Sequence, residues 1–353
     1  MKHKRIIRCM ALLLVLFCSL SAVVGCTDGT TQTPLEQITT DASDTHANAQ
    51  TSTPTQVRVA ALKGPTGMGM AKLMEDAKTG TLQNSYVFTV SSAPSELSAG
   101  MIQEGGFDIA ALPTNLAATL YQKTQGQVCV AAVNTLGVLY ILENGNSIQS
   151  VADLRGKTLY ATGQASTPEY ILRYVLQKNG LDPDRDLTIS YMADHAELAT
   201  ALAANTVAIG MLPEPNVTAA MLQNDALRIA LDLTQEWEKA VPGTTVMQGC
   251  IAVRSEFAQA HPDALREFLT AYEASVRFSQ ENPEQTAALI EAAEILPKAA
   301  IAKKALPQCN ITYIAGTQMQ TQLSAFLQVL FEAEAASVGG KMPDDAFYLT
   351  NLQ

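Results

Sequence analysis

From residue 57 onward, short apolar runs alternate with segments whose apolar positions recur every three or four residues. The runs predict strands and the recurring segments predict amphipathic helices. Residues 57–62, 86–90 and 107–112 read as strands, whereas 66–78, 94–104 and a segment opening at Pro113 read as helices. Near Leu136 the alternation starts afresh, with strands over 156–161, 187–191 and 207–212 and helices over 167–179 and 196–203. After a strand at 246–253 the pattern turns almost wholly helical, through 262–280, 283–293 and 318–334. Strands that alternate with helices predict an α/β fold with mainly parallel sheets flanked by helices.

The two rounds of alternation echo each other. Residues 94–113 match residues 195–213 with one residue fewer, so that Glu96-Leu97 falls on Glu197-Leu198 and Leu112-Pro113 on Leu212-Pro213. Each copy reads as helix, turn, buried strand, then a proline that ends the strand and opens a helix. Duplication of this kind predicts two similar α/β lobes arranged as a clamshell.

The first 56 residues follow a different pattern. Lys2, Lys4, Arg5 and Arg8 precede an apolar run of 14 residues from Ala11 to Val24, and Val23-Val24-Gly25 leads directly into Cys26. The run is shorter than the roughly 20 residues a bilayer span requires. Its order is that of a secretion signal (1–25) closed by a lipobox, in which Cys26 becomes the new N-terminus and takes a diacylglyceryl group with palmitate-type acyl chains. Residues 27–56 contain ten threonines but no aromatic residue, lysine or arginine. That composition offers too little apolar surface to fold, so 26–56 reads as a lipidated, disordered tether with a reach of about 30 Å. The expected location is extracytoplasmic, on the cell membrane.

Charge and cysteine usage narrow the function. The formal net charge is −11, and loss of the four basic residues in 1–25 takes it to −15, which argues against nucleic acid as a partner. Cys9 and Cys18 leave with the signal and Cys26 is acylated, so Cys129, Cys250 and Cys309 remain of the six cysteines. An odd number without paired spacing gives no disulfide framework, although a single bridge stays open.

In such sheets ligands sit at the loops that follow the strands. The first lobe offers 63–68 (Lys63, Gly64, Thr66, Gly67), 91–93 (Ser92) and 113–115 (Thr114, Asn115). The second offers 162–168 (Thr162, Gln164, Ser166, Thr167), 193–195 (His195) and 213–215 (Glu214). Most of these loops set hydroxyl or amide side chains beside a helix start, where free N–H groups suit an anion or a carbonyl oxygen.

Four stretches, 59–68, 106–115, 151–160 and 208–215, resemble the solute-binding lipoproteins of ABC importers with the type II periplasmic-binding-protein fold. The relevant group contains the nitrate, taurine, alkanesulfonate and thiamine-precursor receptors, and Leu-Arg-Gly-Lys at 154–157 and Glu-Pro at 214–215 are the telling motifs. The resemblance implies a first lobe of 57–135 plus 246–353, with a second lobe of 136–245 inserted between two hinge crossings. It also implies a monomer that captures a small polar or anionic solute between the lobes and delivers it to permease and ATPase subunits. Lys63 is the one obvious basic candidate near the ligand.

No catalytic constellation emerges. His195 and His261 are the only histidines beyond the tether, too few for a histidine metal site, and neither a nucleophile elbow nor a phosphate loop is present. Neither a cofactor nor a metal is expected. Asp194-His195 could act as an acid–base pair, which keeps open an enzyme on the same fold, of the pyrimidine-precursor or menaquinone-pathway type. A ligand sensor without a transport role is the other alternative.

Overall fold

In the computed structural model, residues 54–351 are described. The signal segment, Cys26 and nearly all of the tether lie outside them. Among the described residues no helix is long and apolar enough to cross a membrane.

Eleven strands form two sheets. The strands are β1 (Gln56–Leu62), β2 (Ser85–Ser91), β3 (Ile109–Pro113), β4 (Val128–Leu136), β5 (Leu139–Asn144), β6 (Thr158–Ala161), β7 (Thr188–Tyr191), β8 (Ile209–Pro213), β9 (Leu227–Asp232), β10 (Met247–Arg254) and β11 (Ile311–Ala315). The first sheet runs β2-β1-β3-β10-β4-β11 and the second β7-β6-β8-β5-β9. This is the two-lobed α/β arrangement expected from the alternation.

The duplication is visible in the topology. In both sheets the first three strands are parallel and the next two each reverse direction. The echoed segments become the helix Pro94–Ile102 with β3 and the helix His195–Ala203 with β8, each strand third in its sheet. The sheets are therefore mixed, not mainly parallel. The cause lies in the crossings: β1, β2, β3, β6, β7, β8 and β9 end on the crossing side and feed helices there, while β5, β10 and β11 begin on that side and run the other way.

At the first crossing, β4 gives way to β5 across two residues. A side chain at Gly137 would stand 1.9 Å from the Thr234 hydroxyl, so only glycine fits. Asn310 secures the turn: its carbonyl accepts Leu136 N–H at 3.1 Å and its amide donates to the Gly137 carbonyl at 2.5 Å. Asn310 leads into β11, which the helical reading of the tail missed.

The helix expected over 66–78 is broken into Pro65–Met68 and Ala71–Thr79. Gly69 lies at the break, where a Cβ would come within 2.9 Å of both Ile311 and the Tyr272 hydroxyl. Buried Ser275 patches the interruption, donating to the Gly69 carbonyl (2.7 Å) and accepting Leu73 N–H (3.2 Å). Met68 and Met70 are wholly buried here as core filler.

One core packs against the first sheet around Val59, Leu73, Ile251, Phe268 and Tyr272. A second core is shared by both sheets and contains Leu112, Val130, Leu159, Ile171, Trp237 and Phe326. The long C-terminal helix Gly316–Ala333 makes that sharing possible, because its Phe326 ring lies 5.2 Å from Trp237, which in turn lies 4.9 Å from Tyr174. The Trp237 indole N–H donates to Thr244 Oγ1 at 3.0 Å, so the buried ring leaves no polar atom unpaired. Cys129, Cys250 and Cys309 are free and buried, and burial raises the pKa of each thiol.

Truncating a buried tryptophan costs about 3–5 kcal/mol. Trp237→Ala should therefore lower the calorimetric melting temperature by on the order of 10 °C; a change of a degree or less would remove this ring from the joint between the halves.

Candidate functional site

Both sheets turn the carboxyl ends of their parallel strands toward the crossings, so the loops named from the sequence gather there. On the first sheet, Lys63 N–H donates to the Ser91 carbonyl at 2.8 Å, while the side chain is exposed. Gly64 has φ +105°, a left-handed backbone that favours glycine. Its carbonyl accepts the N–H groups of Gly67 and Met68 at 3.0 and 2.9 Å. Gly67 is a packing residue: a Cβ would meet the Leu62 carbonyl oxygen at 2.5 Å. The Thr66 hydroxyl points back to the Leu62 carbonyl at 3.4 Å.

The next loop relies on the neighbour of the expected residue. Ser92 is exposed, whereas Ser91 accepts Ala93 N–H at 3.0 Å and donates to the Glu96 carboxylate at 2.5 Å. After β3, buried Thr114 donates to the Met247 carbonyl at 2.6 Å and fastens β3 to the start of β10. Buried Asn115 follows at the head of the helix Thr114–Thr124.

On the second sheet, Gln164 is exposed and Ser166 donates to the Gly163 carbonyl at 2.7 Å. Thr162 and Thr167 are both 0% exposed. The Thr162 hydroxyl sits 2.6 Å from His195 Nδ1. Asp194 does not pair with that imidazole; its Oδ1 accepts the N–H groups of Ala196 and Glu197 at 2.7 and 3.0 Å, capping the following helix. The acid–base dyad considered from the sequence is thus not formed. Burial lowers the pKa of His195, against a smaller opposite pull from Asp194.

Glu214, 2% exposed, ends the β8 loop at a cis peptide bond to Pro215. Its two carboxylate oxygens accept Thr218 N–H (3.1 Å) and the Thr218 hydroxyl (3.0 Å). No lysine, arginine or histidine pairs with it among the described residues. Burial accordingly raises its pKa, with the Thr218 hydrogen bonds pulling the other way.

The two sides touch. Thr167 Oγ1 donates to Asn115 Oδ1 at 2.6 Å, and Asn115 Nδ2 donates to the Ser337 carbonyl at 3.3 Å. Nearby, a Cβ at Gly64 would lie 3.9 Å from Pro215 Cδ. Asn115, Thr167, Gly64, Thr162, His195 and Glu214 therefore belong to the facing ends, while Lys63, Ser92 and Gln164 hold their side chains in solvent and Gly67 and Thr114 serve the frame.

Two polar groups at the same ends were missed from the sequence. Asn134, near the end of β4, is fully buried with an unpartnered Nδ2. Tyr140, near the start of β5, lies opposite Asp232 and Leu212; burial first, then Asp232 and Glu214, push its hydroxyl pKa up to about 12. The available signal was an asparagine breaking the apolar run Val128–Val133.

No curated protein matches this sequence. Solved structures do match in fold. An ABC transporter from Parabacteroides distasonis superimposes with a TM-score of 0.69 at 24% identity, covering 84% of this chain and 99% of that one. The periplasmic aliphatic sulphonate binding protein SsuA from Escherichia coli gives 0.67 at 19%, covering 84% and 92%. The periplasmic nitrate-binding protein NrtA from Synechocystis PCC 6803 gives 0.58 at 12%, covering 81% and 84%. At these identities the likeness is one of fold. Residues 96–299, more than half the sequence and spanning parts of both sheets, match a family described as "ABC transporter, phosphonate, periplasmic substrate-binding protein", and to that family of substrate-binding components the chain belongs.

Proposed function

We propose that the protein captures one small polar solute between its two sheets and hands it to the permease of an ABC importer, without chemical change to the solute. The observation that carries this reading is the buried Thr167–Asn115 hydrogen bond, which joins loops from the two sheets at 2.6 Å. In this reading the first lobe comprises 57–135 and 246–353, the second 136–245, and the two crossings act as the hinge. The receptor works as a monomer held to the membrane through acylated Cys26.

Charge refines the choice of solute. Micromolar affinity corresponds to about 8 kcal/mol, and helix ends supply roughly 0.3–1 kcal/mol each, about 2 at best. Charge-assisted hydrogen bonds of about 1.5–3 kcal/mol must contribute, yet Lys63, the basic residue of the rim, is exposed. An anion held about 4 Å from an ionised Glu214 would meet a repulsion of about 4 kcal/mol at an effective dielectric of 20. A solute that offers Glu214 a hydrogen-bond donor, or binding coupled to proton uptake by Glu214, avoids that cost.

Calorimetry and thermal shift with phosphonates, sulfonates, nitrate and short carboxylates test the reading. A true ligand raises the melting temperature as its concentration exceeds Kd, and Thr167→Val weakens it about two- to tenfold, the worth of one hydrogen bond. Affinity unchanged in both Thr167→Val and Asn115→Ala would sink the proposed site.

Glu214 also sets a pH dependence. Its folded pKa lies above its unfolded value, so the folded state binds the proton more tightly and stability falls as pH rises through the interval between the two. Glu214→Gln should be more stable than the wild type at pH 7, with the difference vanishing at pH 3; equal melting temperatures at both would contradict the burial argument. For the anchor, Cys26→Ala should move the expressed protein from the membrane fraction to the soluble one.

A further inference from the structure

Thr162 follows β6 and His195 opens the helix after β7. The parallel register Ala161↔Tyr191 sets the ends of those two strands side by side. Thr162 Oγ1 and His195 Nδ1 are 2.6 Å apart, well inside hydrogen-bond range. The distance alone does not say which atom donates. Burial does.

A threonine hydroxyl has one hydrogen to give, and a neutral imidazole has one N–H and one bare nitrogen. Thr162 is 0% exposed, so water does not take its hydrogen. Among the described residues the imidazole is the one group within hydrogen-bond distance of that hydroxyl. If Nδ1–H donated to Oγ1, the hydroxyl hydrogen would stay buried without an acceptor. With Oγ1–H donating to a bare Nδ1, every group at the contact is satisfied, and the ring hydrogen must reside on Nε2. An orphaned buried donor costs enough to bias the two tautomers by about tenfold or more. A doubly protonated ring would orphan the same hydrogen, and the lowered pKa of His195 agrees. Asp194, committed to the helix N–H groups, does not compete for Nδ1.

We propose that Thr162 fixes His195 as its Nε2–H tautomer, so that the rim of the second sheet offers a neutral N–H donor selecting a solute with an oxygen acceptor. Nε2 has no hydrogen-bond partner among the described residues, and the residue is not fully buried, which leaves this hydrogen for a ligand. Thr162 is thus a positioning residue that acts through the imidazole. The acceptor part of this inference rests on the inter-sheet binding reading; the tautomer part does not.

Long-range proton–nitrogen NMR of the purified protein with 15N-labelled histidine, at pH 7.5, tests both parts. Four histidines are present, and His195→Gln identifies the signal. The expected spectrum has a protonated Nε2 and a bare Nδ1. Thr162→Val, nearly the same shape, should give a mixture of tautomers, and Thr162→Ser should restore the single form. A protonated Nδ1 in the wild type overturns the proposal whatever the protein binds, and needs no variant to fold. So does an unchanged tautomer ratio in folded Thr162→Val. Methylphosphonate serves as the probe for the acceptor: a saturable shift of the His195 Nε2–H signal is expected. A probe that raises the melting temperature but leaves that signal in place removes His195 from the contact while the binding reading survives. No shift with no rise in melting temperature overturns phosphonate oxygen as the acceptor, and the tautomer result stands apart from it.

Discussion

Chain direction at the two crossings is the constraint on which the rest depends. Seven helix-feeding strands, β1, β2, β3, β6, β7, β8 and β9, end toward the crossings, so the free N–H groups of the following helices and the polar loops before them collect at one place from both sides. The strands that begin on the crossing side, β5, β10 and β11, run against their neighbours, and this makes both sheets mixed. Gly137 and Asn310 show how little room the first crossing has: a glycine where no side chain fits, and an asparagine serving both sides of the turn. A shift in register at either point would turn the facing loops away from each other.

Polar groups gathered in this way must find partners or remain costly. Most do so within their own loops: Ser91 with Glu96 and Ala93, Ser166 with Gly163, Glu214 with Thr218. Few remain without a partner in their own loops. Asn115 and Thr167 meet each other, His195 keeps one nitrogen free, and Asn134 retains an amide hydrogen without a partner. Glu214 is the exception in charge, a buried acid without a cation among the described residues.

Much of this was legible in the sequence. The alternating runs located the parallel strands, and the echo between 94–113 and 195–213 pointed to the repeated helix–strand unit. Loops were identified well but the individual residues less so, since exposure of a hydroxyl cannot be read from its neighbours: Ser92 was expected where Ser91 acts, and Gln164 faces solvent. Local patterning also failed wherever a distant partner decides the outcome. The helix at 66–78 breaks because Gly69 packs against Tyr272 and Ile311, more than 200 positions away. β11, only five residues, joins the sheet because β4 offers it an edge. Asn134 and Tyr140 matter only because the crossing brings their strands to the rim.

Trp237 has a practical consequence. It is the single tryptophan of the chain, and its ring leans on Phe326 of the helix Gly316–Ala333. Tryptophan emission from this protein therefore originates in the core shared by its two sheets. Changes in packing between the sheets can be followed in solution by an intrinsic chromophore, with no dye attached and no ligand labelled.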